Sequence, residues 1–158
     1  MAWQNLVSEN KIVQLACATT NGGITSDVVS LKNAIRATII CNMEQAVGHA
    51  TLISLKQATD VAAGTNAAGP ACPIWVNADT TATDTLVKET TDAATFTLGS
   101  GTVPMQVIFE VDPAALTAGY DCVYVTVADS SQATNFAAIE ILIRENYQRA
   151  TPPAAITD

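Results

Sequence analysis

Apolar and polar residues alternate with a period of two along most of this chain, and that pattern limits what it can fold into. In RATIICNM the apolar residues on one side of the alternation are Ala37, Ile39, Cys41 and Met43. In MQVIFEV they are Met105, Val107, Phe109 and Val111. Side chains of a β-strand point alternately to its two faces, so these segments predict strands with one buried and one solvated side.

The same period predicts strands elsewhere in the sequence. The apolar faces of KIVQLACA, DCVYVTVA and FAAIEILIRE are formed by Val13, Leu15 and Cys17, by Val123, Val125 and Val127, and by Ala137, Ile139, Ile141 and Ile143. DSSQATN joins the last two segments and is rich in turn-forming residues, so they are predicted to pair as a central hairpin. Further strands are predicted at HATLISLKQA, PIWVNA, TDTLVKET and TFTLGS, with the threonine-rich part forming one or two edge strands.

Turn signals separate the predicted strands and define the fold class. DPAALTAG predicts one short helical turn, with Asp112 as N-cap, Pro113 in the first position and Gly119 as the stop. Eight or so short strands predict an all-β fold, an antiparallel β-sandwich of the jelly-roll type with at most one helical turn. We expect an N-terminal arm and first strand over residues 1–25, a single sandwich domain over 12–148, and an extended C-terminal tail over 149–158.

The chain carries few charges for its size. Charged residues make up 14% of it and apolar residues 49%, whereas ordinary soluble domains contain about 25% charged residues. Such a chain either enters a membrane or covers much of its exterior with other proteins. No apolar run approaches the ~18 residues of a membrane span, and the N-terminus lacks a signal-peptide pattern. We therefore expect a soluble protein that is made in the cytoplasm, assembles with partners and does not contact a membrane.

Charge and potential metal ligands exclude further classes. The net charge is −8 with no Lys/Arg cluster, so nucleic-acid binding is not expected. Cys17, Cys41, Cys72 and Cys122 are scattered and His49 is the single histidine, which disfavours zinc. Free, mostly buried thiols are predicted instead. Asp79, Asp84 and Asp92 do not fit a calcium loop. No metal, cofactor or disulfide framework is predicted.

No catalytic motif is present, and an enzyme is not expected. Glu140 lies mid-strand without a second carboxylate placed to work with it, and His49 has no nucleophile signature around it. Trp75, Tyr120 and Tyr147 are the few aromatic residues that a sugar-binding surface would use.

The candidate interface residues lie near the two ends of the sequence: Trp3, Pro152, Pro153 and Ile156. Trp3 either plugs its own sandwich or anchors a neighbouring chain. The proline pair cannot donate ladder hydrogen bonds and favours an extended path. The tail is therefore either a frayed terminus or an arm laid on a neighbouring subunit, with Ile156 as its one sizeable apolar anchor.

Several phrases, in their order, resemble a group of small structural proteins of tailed bacteriophages. They are VVSLKNAIRATIICNM, TLISLKQATDVAAGT, MQVIFEVDPAALTAGYDCVYVTV and YQRATPPAAITD, so the likeness runs from about Val28 to the end. The resemblance implies a virion protein that decorates or cements the capsid surface. Its partners would be the major capsid protein and copies of itself, as a dimer or trimer. The alternatives are a head-to-tail connector or tail component, or a virion-displayed host-surface (glycan) binding module.

Overall fold

The structure, a computed structural model, describes Leu6 and residues 10–146. Within residues 10–146 the regular elements are twelve strands and one 3₁₀ turn, Pro113–Ala115. The strands are β1 (Asn10–Thr19), β2 (Ile24–Thr25), β3 (Val29–Ser30), β4 (Ala34–Glu44), β5 (Thr51–Ala58), β6 (Asn66–Ala68), β7 (Ile74–Asn77), β8 (Val87–Lys88), β9 (Thr95–Leu98), β10 (Met105–Val111), β11 (Cys122–Val127) and β12 (Phe136–Glu145).

The strands form two sheets in which neighbours run antiparallel. Sheet A has the order β1-β12-β4-β10-β7-β8. Sheet B has the order β2-β11-β5-β6, with β3 also pairing with β11 and β9 with β5. The predicted all-β antiparallel sandwich is thereby confirmed.

The chain passes back and forth between the two sheets. Strands β1, β4, β7, β8, β10 and β12 belong to sheet A, and the strands between them in sequence belong to sheet B. Among the described strands, only two pairs of sequence neighbours also pair with each other in a sheet: β5 with β6, and β7 with β8. Most hydrogen-bonded neighbours are therefore distant in sequence, as in a jelly roll.

The core lies between the inner faces of the two sheets. The predicted inward residues of β4 and β10 are all buried, and Ile39, Cys41, Val107 and Phe109 are completely so. Phe109 is among the largest fully buried side chains. Full burial of a residue of this size contributes about 1.5–3 kcal/mol, so these two strands anchor the sandwich.

The predicted hairpin between β11 and β12 is wrong. Strand β11 pairs with β5 in sheet B, whereas β12 lies between β1 and β4 in sheet A. The connection crosses the sandwich end and is tied to the loop after β1: Ser130 N–H donates to the Thr20 carbonyl at 3.0 Å. Asp129 accepts from the backbone N–H of Gly22 and Ser131. Turn-forming residues indicated a change of direction, but they carry no information about which strand becomes the partner.

Cys17 does not lie on the inner face of β1, contrary to the sequence pattern. The register of β1 against β12 shifts between Gln14 and Ala16, so Leu15 and Ala16 both face the core. A β-bulge of this kind reverses the alternation that follows it, and Cys17 is exposed. The other three cysteines are buried, as predicted.

The threonine-rich segment supplies two short strands at the sheet margins. Strand β8 is the last strand of sheet A, and β9 pairs with β5 in sheet B. The helical turn is also where the sequence predicted it. Asp112 is its N-cap, and the Asp112 carboxylate accepts from Ala114 N–H at 2.9 Å. The turn ends at Leu116 rather than at Gly119.

Candidate functional site

The strongest candidate site is the surface of sheet A that faces away from the core, here called the outer A face. Its central row follows the register across all six strands. The row consists of Gln14, Glu140, Ile40, Ile108, Trp75 and Lys88. Three adjacent positions in the middle of the sheet are therefore large and apolar.

Further apolar side chains extend this face on both sides of the central row. Ile12 and Leu142 oppose each other in the next row, and Phe136 lies near the start of β12. Ile12 is 44% exposed and Phe136 47% exposed. Ile40, Ile108, Leu142 and Trp75 keep partial exposure, and none belongs to the core clusters. An apolar surface left open in this way is typical of an interaction site.

The local sequence explains why these side chains point outward. Four strands of sheet A each contain three consecutive apolar residues, and the middle one must face away from the core. The triplets are Ile39–Cys41, Ile74–Val76, Val107–Phe109 and Ile141–Ile143. Ile40, Trp75, Ile108 and Leu142 are the middle residues. Trp75 was considered from the sequence as a sugar-binding aromatic residue, but Ile40, Ile108 and Leu142 were not predicted as surface residues, although the uninterrupted triplets are a visible signal.

The corresponding outward surface of sheet B, the outer B face, has the opposite character. One row across it consists of Thr25, Thr126, Ser54 and Thr95. Leu52 is its one large apolar side chain with substantial exposure, at 41%. Near the other end of the sheet, Cys122 and Tyr124 are covered by Val28, Val61 and Ala63. Thr25 and Thr95 are exposed and Thr126 is partly exposed, whereas Ser54 is buried. This row is therefore polar and partly open to solvent.

Charges are distributed unevenly over the outer A face. Arg36 and Arg144 lie directly opposite each other on β4 and β12, and neither has an ion-pair partner among the described residues. Glu140 lies in the central row. Lys88 is 3.5 Å from the Asp92 carboxylate in an exposed pair, a type of contact that contributes little. Opposed like charges are unfavourable in isolation, so the arginine pair would be stabilised by an external anion.

The described strands β1 and β12 begin and end, respectively, at one corner of this face. Asn10 at the start of β1 pairs with Arg144 near the end of β12. Asn146 N–H donates to the Asn33 carbonyl at 2.9 Å beside the start of β4. The predicted interface residues Trp3, Pro152, Pro153 and Ile156 lie outside the described residues. The fold nevertheless brings the attachment points of the two segments that contain them together.

Two of the aspartates considered for a calcium loop, Asp79 and Asp92, contact other residues of the same chain. Asp79 accepts from the backbone N–H and hydroxyl of Thr81, and these hydrogen bonds lower the pKa of its carboxyl. Asp92 faces Lys88. Among the described residues, no cluster of His, Cys, Asp or Glu is arranged to hold a metal ion.

His49 lies just before β5, and Glu140 lies on the open sheet. The His49 carbonyl accepts from the Gln45 side chain at 2.9 Å, and the imidazole Nδ1 is buried without a partner in the described chain. Glu140 lies between Gln14 and Ile40 in the central row. The two residues are on different parts of the molecule: His49 leads into sheet B, and Glu140 belongs to sheet A. The structure does not bring them together.

The aromatic residues considered for sugar binding belong to separate surfaces. Trp75 is in the outer A face, and Tyr120 is in the connection that leads into β11. Tyr147 lies outside the described residues. Clefts of about 230 and 220 Å³ open beside the outer A face, the first along Cys17 and Phe136 and the second along Ile35 and Arg36. Both are below the ~300–1,000 Å³ of typical small-molecule sites.

Comparison with known proteins gives a limited result. No family model and no curated protein matches the sequence. In structure the chain is similar to the SPBc2 prophage-derived protein YomS, with a TM-score of 0.48 and 11% identity over 85% of this chain and 92% of that chain. A likeness at this level does not bear on function. No helix in the described part of the chain is long and apolar enough to cross a bilayer.

Proposed function

We propose that this chain is a non-enzymatic virion structural protein that decorates or cements a bacteriophage capsid by bridging neighbouring shell subunits. The observation that carries the proposal is the difference between the two outer faces. The outer A face presents Ile40, Ile108 and Trp75 at its centre, and the outer B face presents Thr25 and Thr126. A protein with one apolar outer face and one polar outer face is suited to a layered assembly.

The sequence resemblance to tailed-phage structural proteins supplies the kind of assembly. The low content of charged residues, 14%, fits a chain that shares part of its exterior with other polypeptides. The shared corner at Asn10 and Arg144 would let the segments around Trp3 and Pro152 act together as one clamp on an adjacent subunit. Many weak clamps on one shell give a large total stabilisation, because each further contact is effectively intramolecular.

Quantification of this chain in purified virions tests the proposal. A decoration protein is expected to co-sediment with the particles in a copy number comparable to that of the major shell protein. Detection in only a handful of copies would contradict decoration and favour a connector or tail component. Glycan-array binding by protein that is present in the particles would favour the virion-displayed host-surface module, and absence from the particles would contradict all three virion roles.

Add-back of purified protein to particles that lack it tests the role of the faces and the tail. Ile108→Glu on the outer A face is expected to reduce retention at least tenfold, because it places a charge in an apolar contact. Thr126→Glu on the outer B face is the matched control and should be retained as wild type. Truncation after Arg149 should leave the sandwich folded by circular dichroism and weaken retention. Equal retention of the truncated chain would contradict a clamp made by the tail.

A further inference from the structure

We propose that the occupant of the outer A face is the outer A face of a second copy, packed around a twofold axis that runs along the strands between β4 and β10. The inference deepens the proposed function, on which it rests for the biological role of the assembly. It assigns self-association to the sheet and leaves the terminal segments to engage other subunits.

The size of the face suits a stable dimer. Six strands about 4.8 Å apart give a width of about 24 Å, and the stretch of β12 from Phe136 to Arg144 gives a length of about 27 Å. The flat area is therefore about 650 Å², close to the ~800 Å² that each partner contributes to a standard interface. Two such sheets stack about 10 Å apart with their strands within about 30° of each other.

The proposed axis pairs unlike strands across the interface. It places β4 against β10 of the partner copy and β12 against β7. In the central row, Ile40 of one copy then lies opposite Ile108 of the other. The twofold axis repeats this contact, so the apolar centres of both copies are buried. Glu140 lies opposite Trp75, with Lys88 beside it on the neighbouring strand. Arg36 lies opposite Asp112, which follows the end of β10.

These pairings place opposite charges together across the interface. In the central row of its own chain, Glu140 has Gln14 and Ile40 as neighbours and no cation beside it. Lys88 of the other copy would add a cation next to that carboxylate in exchange for its exposed contact with Asp92. The acid in the middle of the face thereby gains a counter-charge.

The other twofold arrangement of the same faces is disfavoured by charge. An axis across the strands at the level of Ile40 stacks each strand on its own copy. Glu140 then meets Glu140 of the partner copy near the axis, and like charges brought together in a desolvated interface are unfavourable. That arrangement would place Arg36 against Glu44 instead. The two arrangements therefore differ in which charged residues become neighbours.

Charge exchange in the full-length chain tests the proposed axis, with the dissociation constant measured by sedimentation equilibrium. Lys88→Glu and Glu140→Lys are each expected to weaken the dimer at least tenfold. The double variant is expected to recover to within about threefold of wild type. Within one chain the two residues are four strands apart, about 19 Å, so recovery must come from contact between copies. Arg36→Glu with Glu44→Arg is the matched pair for the other axis and should show no recovery.

A wild-type chain that stays monomeric up to millimolar concentration would overturn the inference, and so would recovery by the Arg36 and Glu44 pair alone. Thr126→Glu controls for added charge and should leave the dissociation constant unchanged. Circular dichroism shows which variants are folded. Failure to dimerise with normal retention on particles would remove this inference alone, whereas a dimer that does not bind particles would remove the proposed function alone.

Discussion

The two outer faces of the sandwich are both made by antiparallel strands, with the longest strands in sheet A, and they differ in chemistry. The cross-strand pair at the centre of the outer A face is Ile40 and Ile108. The pair at the centre of the outer B face is Ser54 and Thr126. Part of the outer B face is covered by residues of the chain itself, at Cys122 and Tyr124, whereas Ile40 and Ile108 on the outer A face stay partly exposed. On our proposal, the outer A face differs because it contacts another polypeptide.

The largest difference in stability between an inward and an outward substitution is expected at two neighbouring residues of β10. Phe109 is fully buried and Ile108 points outward. Phe109→Ala should lower the free energy of unfolding by about 3–5 kcal/mol because it leaves a cavity. Ile108→Ala should lower it by about 1 kcal/mol or less at low protein concentration. Urea unfolding measures both, and equal losses would mean that the outer A face belongs to the core.

The two sides of sheet A are also expected to differ in alkaline solution. Burial raises the pKa of the Cys41 thiol to about 12, against 9.0 for a free thiol. As the pH rises through this range, the unfolded chain loses the thiol proton while the folded chain keeps it. Stability should therefore fall by about 1.4 kcal/mol per pH unit between pH 9 and 12.

Unfolding of wild type and Cys41→Ala across that range isolates the contribution of this thiol. The variant should show a shallower slope, and an unchanged slope would contradict the burial of Cys41. Cys17 serves as the accessibility control on the other side of the sheet, because it is exposed. A thiol reagent at pH 8 should modify Cys17 in the folded chain and spare Cys41.

Replacement of threonines on the outer B face by apolar residues is expected to have a smaller effect on stability and a measurable effect on association. Thr25 and Thr126 are cross-strand neighbours on the outer B face. Replacement of both by Ile keeps the β-branched shape and should change the free energy of unfolding by less than about 1 kcal/mol. It should also create a second apolar surface, so that light scattering detects species larger than the dimer. No larger species would show that an apolar pair alone is insufficient.

The smallest effect is expected at Leu52, the isolated exposed apolar residue of the outer B face. A single apolar side chain in a hydrated surface is ordinary and contributes little. Leu52→Ser should alter the free energy of unfolding by no more than about 0.5 kcal/mol and leave association unchanged. A loss of association in this variant would undermine the distinction between the faces.

Sequence periodicity predicted the strands and their inner faces because burial of one side imposes an alternation that is visible locally. It could not predict that β11 and β12 belong to different sheets, since partner choice depends on contacts far away in sequence. The exposure of Cys17 was missed because one extra residue near Leu15 reverses the alternation after it. Trp3, Pro152, Pro153 and Ile156 lie outside the described residues, so their predicted interface role stays a prediction.

The outer A face was only partly visible in the sequence. Glu140 was correctly expected on the outward side of its strand, but Ile40, Ile108 and Leu142 were absorbed into apolar runs. Which member of such a run faces outward follows from the alternation, whereas its exposure depends on whether another layer covers it. That depends on the whole fold, so a triplet in one strand does not distinguish an interface from a third layer.

Strand β12 lies between β1 and β4, and this position has a consequence for synthesis. On the ribosome, β1 and β4 emerge roughly a hundred residues before the strand that must be inserted between them, at about 5–20 residues per second. For several seconds the edges of β1 and β4 that will pair with β12 have no native partner. Pairing so distant in sequence is slow, so these edges are open to non-native contacts until translation has passed residue 145.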